Sequence, residues 1–179
     1  NNPTGQLVPR KKLTTLLKGL KEKGAYLMVD EAFIDFVGEE YSLKERINSY
    51  TNLIILRSLT KFFAIPGLRL GFALAAPVLI DKFKQLVDPW NINTFAGIVA
   101  PKVMWDKRYI SETRKLVDQE KEWLWGKLQE FPDILPLRPQ ANYIFGELRG
   151  DINASTLAQE LKKRGILIRE CANYPFLDQ

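Results

Sequence analysis

No histidine occurs anywhere in the 179 residues, and there is one cysteine, Cys171. The first absence removes a Ser-His-Asp or Cys-His site from the chain and, with the second, removes zinc sites that depend on histidine or on several thiolates, so no metal site is expected. The single cysteine excludes an internal disulfide framework and fits a reducing, cytoplasmic compartment. No apolar run reaches the roughly 20 residues of a membrane span, and none reads as a signal peptide. The chain opens on Asn-Asn-Pro-Thr-Gly without a methionine and reads as part of a longer protein. With 26 basic and 21 acidic residues the net charge is +5. The basic residues are interleaved with acids along helical stretches, a pattern of solvated helix faces, and neither a nucleic acid nor a membrane is expected as a partner.

What is present is a globular composition, 46% hydrophobic. Leu13, Leu16, Leu17 and Leu20 recur at three and four residues and predict a helix over 8–23, stopped by Gly24. Short apolar runs at 25–30, 51–59 and 68–75 predict buried strands, and helices follow at 77–87 and from Phe95. A long helix is expected from 107 to about 130, ended by Pro132. Two strands broken by Pro139 are then expected over 134–148, a helix over 154–164 and a last strand over 165–170. This is an α/β grammar, a mostly parallel sheet with helices on both faces, followed by most of a small α+β domain. The boundaries read as 1–106 for the large domain, 107–131 for an interdomain helix and 132–179 for the small domain.

In open α/β sheets, ligands sit outside the carboxyl ends of strands. Asp30 closes the first predicted strand, Ser58 and Lys61 follow the second, and Arg69 opens the third. Beside Phe62, Phe63 and Ile65, Lys61 is expected to be desolvated, which would lower its pKa and free an amine for Schiff-base chemistry. Ser58 and Arg69 offer a hydroxyl and a guanidinium fork suited to a phosphate, and the Pro66-Gly67 turn would bring Arg69 back toward Lys61. Asp30 reads equally as a helix cap, an ion-pair partner, or a carboxylate that keeps a pyridine nitrogen protonated. The last reading joins carboxylate, lysine and phosphate cradle in one explanation.

Four segments in order, N-N-P-T-G, D-E-A-F, S-L-T-K and P-G-L-R-L-G, resemble the fold-type I pyridoxal-phosphate enzymes of the class I/II aminotransferase family. The resemblance implies pyridoxal 5'-phosphate as cofactor. It implies a Schiff base at Lys61, a pyridinium partner in Asp30, phosphate ligands in Ser58 and Arg69, and Ala32 against one ring face. Asn2 would meet the cofactor's phenolic oxygen and lie close to the substrate, and Arg169 would meet the substrate. The longer runs D-E-A-F-I-D-F, P-W-N-I-N, A-N-Y-I-F and I-L-I-R-E-C-A-N-Y-P resemble the members that act on phosphorylated amino acids. The expected reaction is decarboxylation, with amino transfer as the alternative and a non-catalytic sensor domain as a third. Phe33 stands where most aminotransferases have tyrosine, which favours the decarboxylase. Trp90, in the P-W-N-I-N loop, implies a homodimer; Trp105, Trp123 and Trp125 read as helix-packing residues. The glycine-rich phosphate turn and the arginine for the substrate α-carboxylate have no counterpart here, so the chain alone is not expected to complete an active site.

Overall fold

The computed structural model describes residues 1–174 and 177, and they divide into two units, one of residues 7–118 and one of residues 1–6 and 119–179. The first six residues thus group with the second unit rather than with the large-domain segment that follows them, and the division falls inside the long helix rather than at its start.

In the first unit, helix α1 (Arg10–Glu22) ends at Gly24, whose φ of +66° is a left-handed conformation that suits glycine. The α1 apolar stripe is selective: Leu17 is fully buried, while Leu16 is half exposed. Leu17 packs with Leu27, Leu43, Leu53 and Ile55, so α1 covers one face of the sheet. Each of those aliphatic side chains contributes on the order of 1.5–3 kcal/mol through its removal from water. The sheet consists of β1 (Leu27–Asp30), β2 (Leu53–Ser58) and β3 (Gly71–Ala75) in that order. β1 and β2 run parallel with Asp30 opposite Leu56, whereas β3 is antiparallel to β2 with Gly71 opposite Ser58. The part of the sheet that this chain holds is therefore mixed. The connection over residues 59–70 carries only the 3-10 turn Pro66–Leu68 and no helix to cross the sheet, and the Leu59 N–H on the Leu70 carbonyl at 3.1 Å extends the pairing, so β3 returns antiparallel beside β2.

A short helix α2 (Ile34–Val37) follows β1, and α3 (Pro77–Lys84), α4 (Thr94–Met104) and α5 (Lys107–Leu128) follow β3. Pro77 sits in the first turn of α3, where its missing N–H costs nothing. A second core gathers Phe36, Leu59, Phe62, Phe63 and Leu70 with Ala96 of α4, and Tyr109, Ile110 and Val117 of α5 pack onto it.

In the second unit, β4 (Ile134–Pro136) pairs antiparallel with β5 (Gly146–Leu148), and α6 (Ala154–Lys163) is capped by Asn153, which accepts the Thr156 N–H at 2.8 Å. The opening turn closes with Gly5 N–H on the Asn1 carbonyl at 2.8 Å and is held by Tyr143, which donates to the same carbonyl at 2.8 Å. The strand expected over 165–170 does not form. Gly165 ends α6 with φ +78°, and Ile166, Leu167 and Ile168 stay on the surface, Leu167 at 80% exposure. A strand needs a neighbour to take its N–H and C=O groups, and among the described residues none is paired with this segment. The tryptophan expectation also divides. Trp105 and Trp123 are exposed, whereas Trp125 donates its indole N–H to the Pro136 carbonyl at 3.3 Å, with the Arg138 guanidinium 4.5 Å from its ring centroid.

Candidate active site

The carboxyl ends of β1 and β2 define the site in the first unit. Because Asp30 is level with Leu56 and side chains alternate along a strand, Asp30 and Ser58 share one face of the sheet. Asp30 turns its Oδ1 back to accept the Ala32 N–H at 2.9 Å, which fixes the bend after β1 and leaves its second oxygen for another partner. Ala32 itself is buried.

At the end of β2 the chain turns sharply. The Ser58 hydroxyl lies 2.8 Å from the Thr60 hydroxyl and accepts from Lys61 Nζ at 3.2 Å. Lys61 Nζ also sits 5.4 Å from the centroid of the Phe33 ring. Phe62 and Phe63 turn into the core, with exposures of 2% and 8%, and Tyr109 of α5 donates to the Phe62 carbonyl at 3.1 Å. Burial of the two phenylalanines therefore presents Lys61 outward, and the desolvated lysine expected from the apolar neighbours is not found; Lys61 is exposed. The aromatic residues that seemed to surround it are the anchor from which it projects.

Arg69 ends the 3-10 turn Pro66–Leu68 in a left-handed conformation with φ +50°, and its Nη1 donates to the Pro66 carbonyl at 3.1 Å. Ala64 has φ +52°. Two non-glycine residues in this sparsely populated region within six positions mark the turn as a segment held in place by its surroundings. One of the holding contacts is Asn93, which caps α4 through Ala96 N–H at 2.9 Å and donates its amide to the Leu68 carbonyl at 2.9 Å. Leu59 N–H to the Leu70 carbonyl, at 3.1 Å, closes the loop base.

The first unit thus brings Asp30, Ser58, Lys61 and Arg69 to one end of the sheet. Asn2 and Arg169 belong to the second unit, where Tyr174 joins them: its hydroxyl donates to Asn2 Oδ1 at 3.2 Å, and the Arg169 guanidinium lies 5.8 Å from its ring centroid. Arg169 lies on the unpaired segment after α6 rather than at a strand end. Of the run expected up to Pro175, that last residue lies outside the described residues.

Sequence reasoning missed the residues behind the site. Arg57 and Glu31, each next to a predicted site residue, are both buried, at 7% and 5% exposure. Arg57 Nε donates to Glu31 at 2.9 Å, Nη1 to Glu39 at 2.8 Å and Nη2 to the Ser42 hydroxyl at 3.0 Å. Asp35 lies 3.5 Å from Nη1. The hydrogen bonds from Arg57, joined by the nearby Lys44 ammonium, hold the Glu39 carboxyl down at about 2. Burial pushes Asp35 the other way, upward, against the pull of Arg57. The missed signal was the alternation itself: a charged residue on the inward side of a strand must find a partner.

The residues at the sheet end suit pyridoxal phosphate in their chemistry. Two hydroxyls and a guanidinium are donors for a phosphate, an exposed amine beside them is a nucleophile for an aldehyde, and a carboxylate on the adjacent strand end can hold a protonated ring nitrogen.

The model of the family "Aminotransferase class I and II" matches residues 1–176, and the chain belongs to that family, whose cofactor is pyridoxal 5'-phosphate. It is 34% identical over 179 residues to the threonine-phosphate decarboxylase of Salmonella typhimurium, covering 99% of this chain and 49% of that protein. It is 28% identical over 178 residues to the histidinol-phosphate aminotransferase of Methanococcus aeolicus, covering 99% of this chain and 47% of that protein. Among solved structures, the histidinol-phosphate aminotransferase of Clostridium acetobutylicum superposes with a TM-score of 0.94 at 34% identity, over 99% of this chain and 54% of that one. The chain spans about half the length of the curated relatives it matches.

Proposed function

We propose that the protein to which this chain belongs decarboxylates L-threonine O-3-phosphate to (R)-1-amino-2-propanol O-2-phosphate, a step of cobalamin biosynthesis, as a homodimer. The observation that carries the reading is Lys61 Nζ held 3.2 Å from the Ser58 hydroxyl and over the ring of Phe33, the position at which the family's aminotransferases mostly carry tyrosine. The likeness to the Salmonella decarboxylase supports it.

Pyridoxal phosphate supplies the electron sink that accepts the pair released from a bond to the substrate Cα. The protein's residues divide the remaining work. Ser58 and Arg69, with Thr60 beside them, would hold the phosphate; Asp30 would keep a proton on the ring nitrogen; Ala32 would lie against the ring. Lys61 would hold the cofactor's aldehyde carbon through Nζ, and the same amine, once free, would hold and deliver a proton at the substrate Cα. The family resemblance would give Asn2 the cofactor's phenolic oxygen and Arg169 the substrate phosphate.

An aminotransferase of the histidinol-phosphate type is the second reading, favoured by the TM-score of 0.94 to such an enzyme. The two differ in which bond to Cα is broken, C–COO⁻ or C–H. Incubation of the full-length protein with O-phosphothreonine separates them. Carbon dioxide release is expected; amino transfer to 2-oxoglutarate without release would replace the first reading by the second. A visible band with pyridoxal phosphate that vanishes in Lys61→Ala is expected for both, and no band in the wild type would defeat both.

A further inference from the structure

Arg57 and Glu31 occupy the end of the sheet on the face opposite Asp30 and Ser58. Glu31 directly follows Asp30, and Arg57 directly precedes Ser58. Beyond the last registered pair, Asp30 with Leu56, the Glu31 N–H continues the ladder by donating to the Leu56 carbonyl at 2.8 Å. The side chains then repeat the link. Glu31 Oε2 receives Arg57 Nε at 2.9 Å and the Ser42 hydroxyl at 2.8 Å, while Oε1 receives the Leu43 N–H at 3.0 Å. All three donors meet one buried carboxylate.

We propose that Arg57 and Glu31 are positioning residues for the cofactor site: their buried, charge-assisted link sets the spacing of the two strand ends and so the distance between Asp30 and the Ser58–Lys61 turn. The proposal rests on the reading of those residues as cofactor ligands. A cofactor held at its ring nitrogen from one strand and at its phosphate and aldehyde carbon from the next has a fixed length, so the spacing of those strands enters its affinity directly. Two features favour this role over simple stabilisation. An apolar pair would fill the same space without the desolvation cost of two charges, and the guanidinium fork reaches Glu39 and Ser42 as well, so it fixes direction as well as distance.

Glu31→Gln is the informative variant. Glutamine keeps the shape but has one acceptor oxygen, and the donors approach from two sides, so one side loses its bond. Full-length protein freed of cofactor is titrated with pyridoxal phosphate, reading the visible band and its pH midpoint alongside the melting temperature. The expected result is a cofactor affinity lower by roughly tenfold to a hundredfold, by analogy with the loss when groups that orient metal ligands are removed, with a shifted pH midpoint. Arg57→Lys, which keeps the charge and loses the fork, should fall between the Glu31→Gln variant and wild type. A folded Glu31→Gln protein with affinity within twofold of wild type would overturn the proposal, whatever its melting temperature.

Amide hydrogen exchange on the cofactor-free wild type decides the matter should neither variant fold. The amides of Glu31 and Leu59 should exchange as slowly as those at the centre of β2. Exchange as fast as that of the exposed Trp90 loop would overturn the proposal. This measurement also stands if the wild type binds no pyridoxal phosphate, an outcome that would defeat the proposed function and leave the link between the strand ends to be judged by exchange alone.

Discussion

Gly71 shows how little room a single residue has in this site. A Cβ built there would stand 2.7 Å from the Arg57 carbonyl oxygen, a backbone atom that can move only by parting β2 from β3. Gly71→Ala is expected to destabilise the protein by about 2 kcal/mol or more, measured by denaturant unfolding, with loss of cofactor binding because Ser58 is the strand partner of Gly71. Phe33→Tyr would test the residue under Lys61. A phenol able to donate to the cofactor's phenolic oxygen favours the charged form of that oxygen, so the pH midpoint of the visible band should move down; an unchanged midpoint would show that position 33 is indifferent. The residues read from the sequence as a candidate site, Asp30, Ser58, Lys61 and Arg69, were those whose type and order carry chemistry, and the fold brings them to one end of the sheet. Glu31 and Arg57 stand 26 positions apart, and only folding brings their side chains to 2.9 Å. The exposure of Lys61 was misjudged for a related reason. Apolar neighbours in sequence say nothing of which way each side chain turns, and here Phe62 and Phe63 turn inward.

At the level of elements, helix and strand positions were legible wherever local signals agreed. α1, β1, β2 and α5 fall within a few residues of their expected spans because the apolar period and the glycine and proline stops point the same way. Two outcomes depended on partners and were not legible. β3 reads the same from sequence whether it returns parallel or antiparallel, and the apolar run after Gly165 reads as a strand although no described strand pairs with it. Helix α4 offers a test at this scale, since Asn93 serves both its N-terminus and the turn that carries Arg69. Asn93→Ala is expected to cost about 1 kcal/mol from the lost cap. It should also weaken binding of inorganic phosphate or pyridoxal phosphate, because the Leu68 carbonyl next to Arg69 loses its donor. A purely capping role would lower stability and leave affinity untouched, and titration calorimetry beside a denaturation curve distinguishes the two.

For the molecule as a whole, the cluster around Arg57 predicts how stability depends on acid. The Glu39 carboxyl titrates at about 2 in the folded protein against an ordinary 4.5, so its contribution is complete above about pH 4.5 and is lost as the pH falls from there toward 2. Asp35 opposes it, since burial raises its proton affinity in the folded state and protonation there favours folding. Urea midpoints measured from pH 6 down to pH 2 should fall in the wild type, and Glu39→Gln should flatten that decline; an equal slope in both would remove Glu39 from the account. The magnitude is reduced by the solvent that reaches Glu39, whose side chain is 40% exposed. Finally, Asp30, Ala32, Ser58, Lys61 and Arg69 lie on one uninterrupted stretch of one unit, while Asn2, Arg169 and Tyr174 lie on the other. Inheritance can therefore act on them separately. Under the proposed roles, substitutions near the carboxyl end of the chain would retune which compound is accepted and leave Lys61 and its neighbours unaltered, a division by which one chemistry can spread over several substrates.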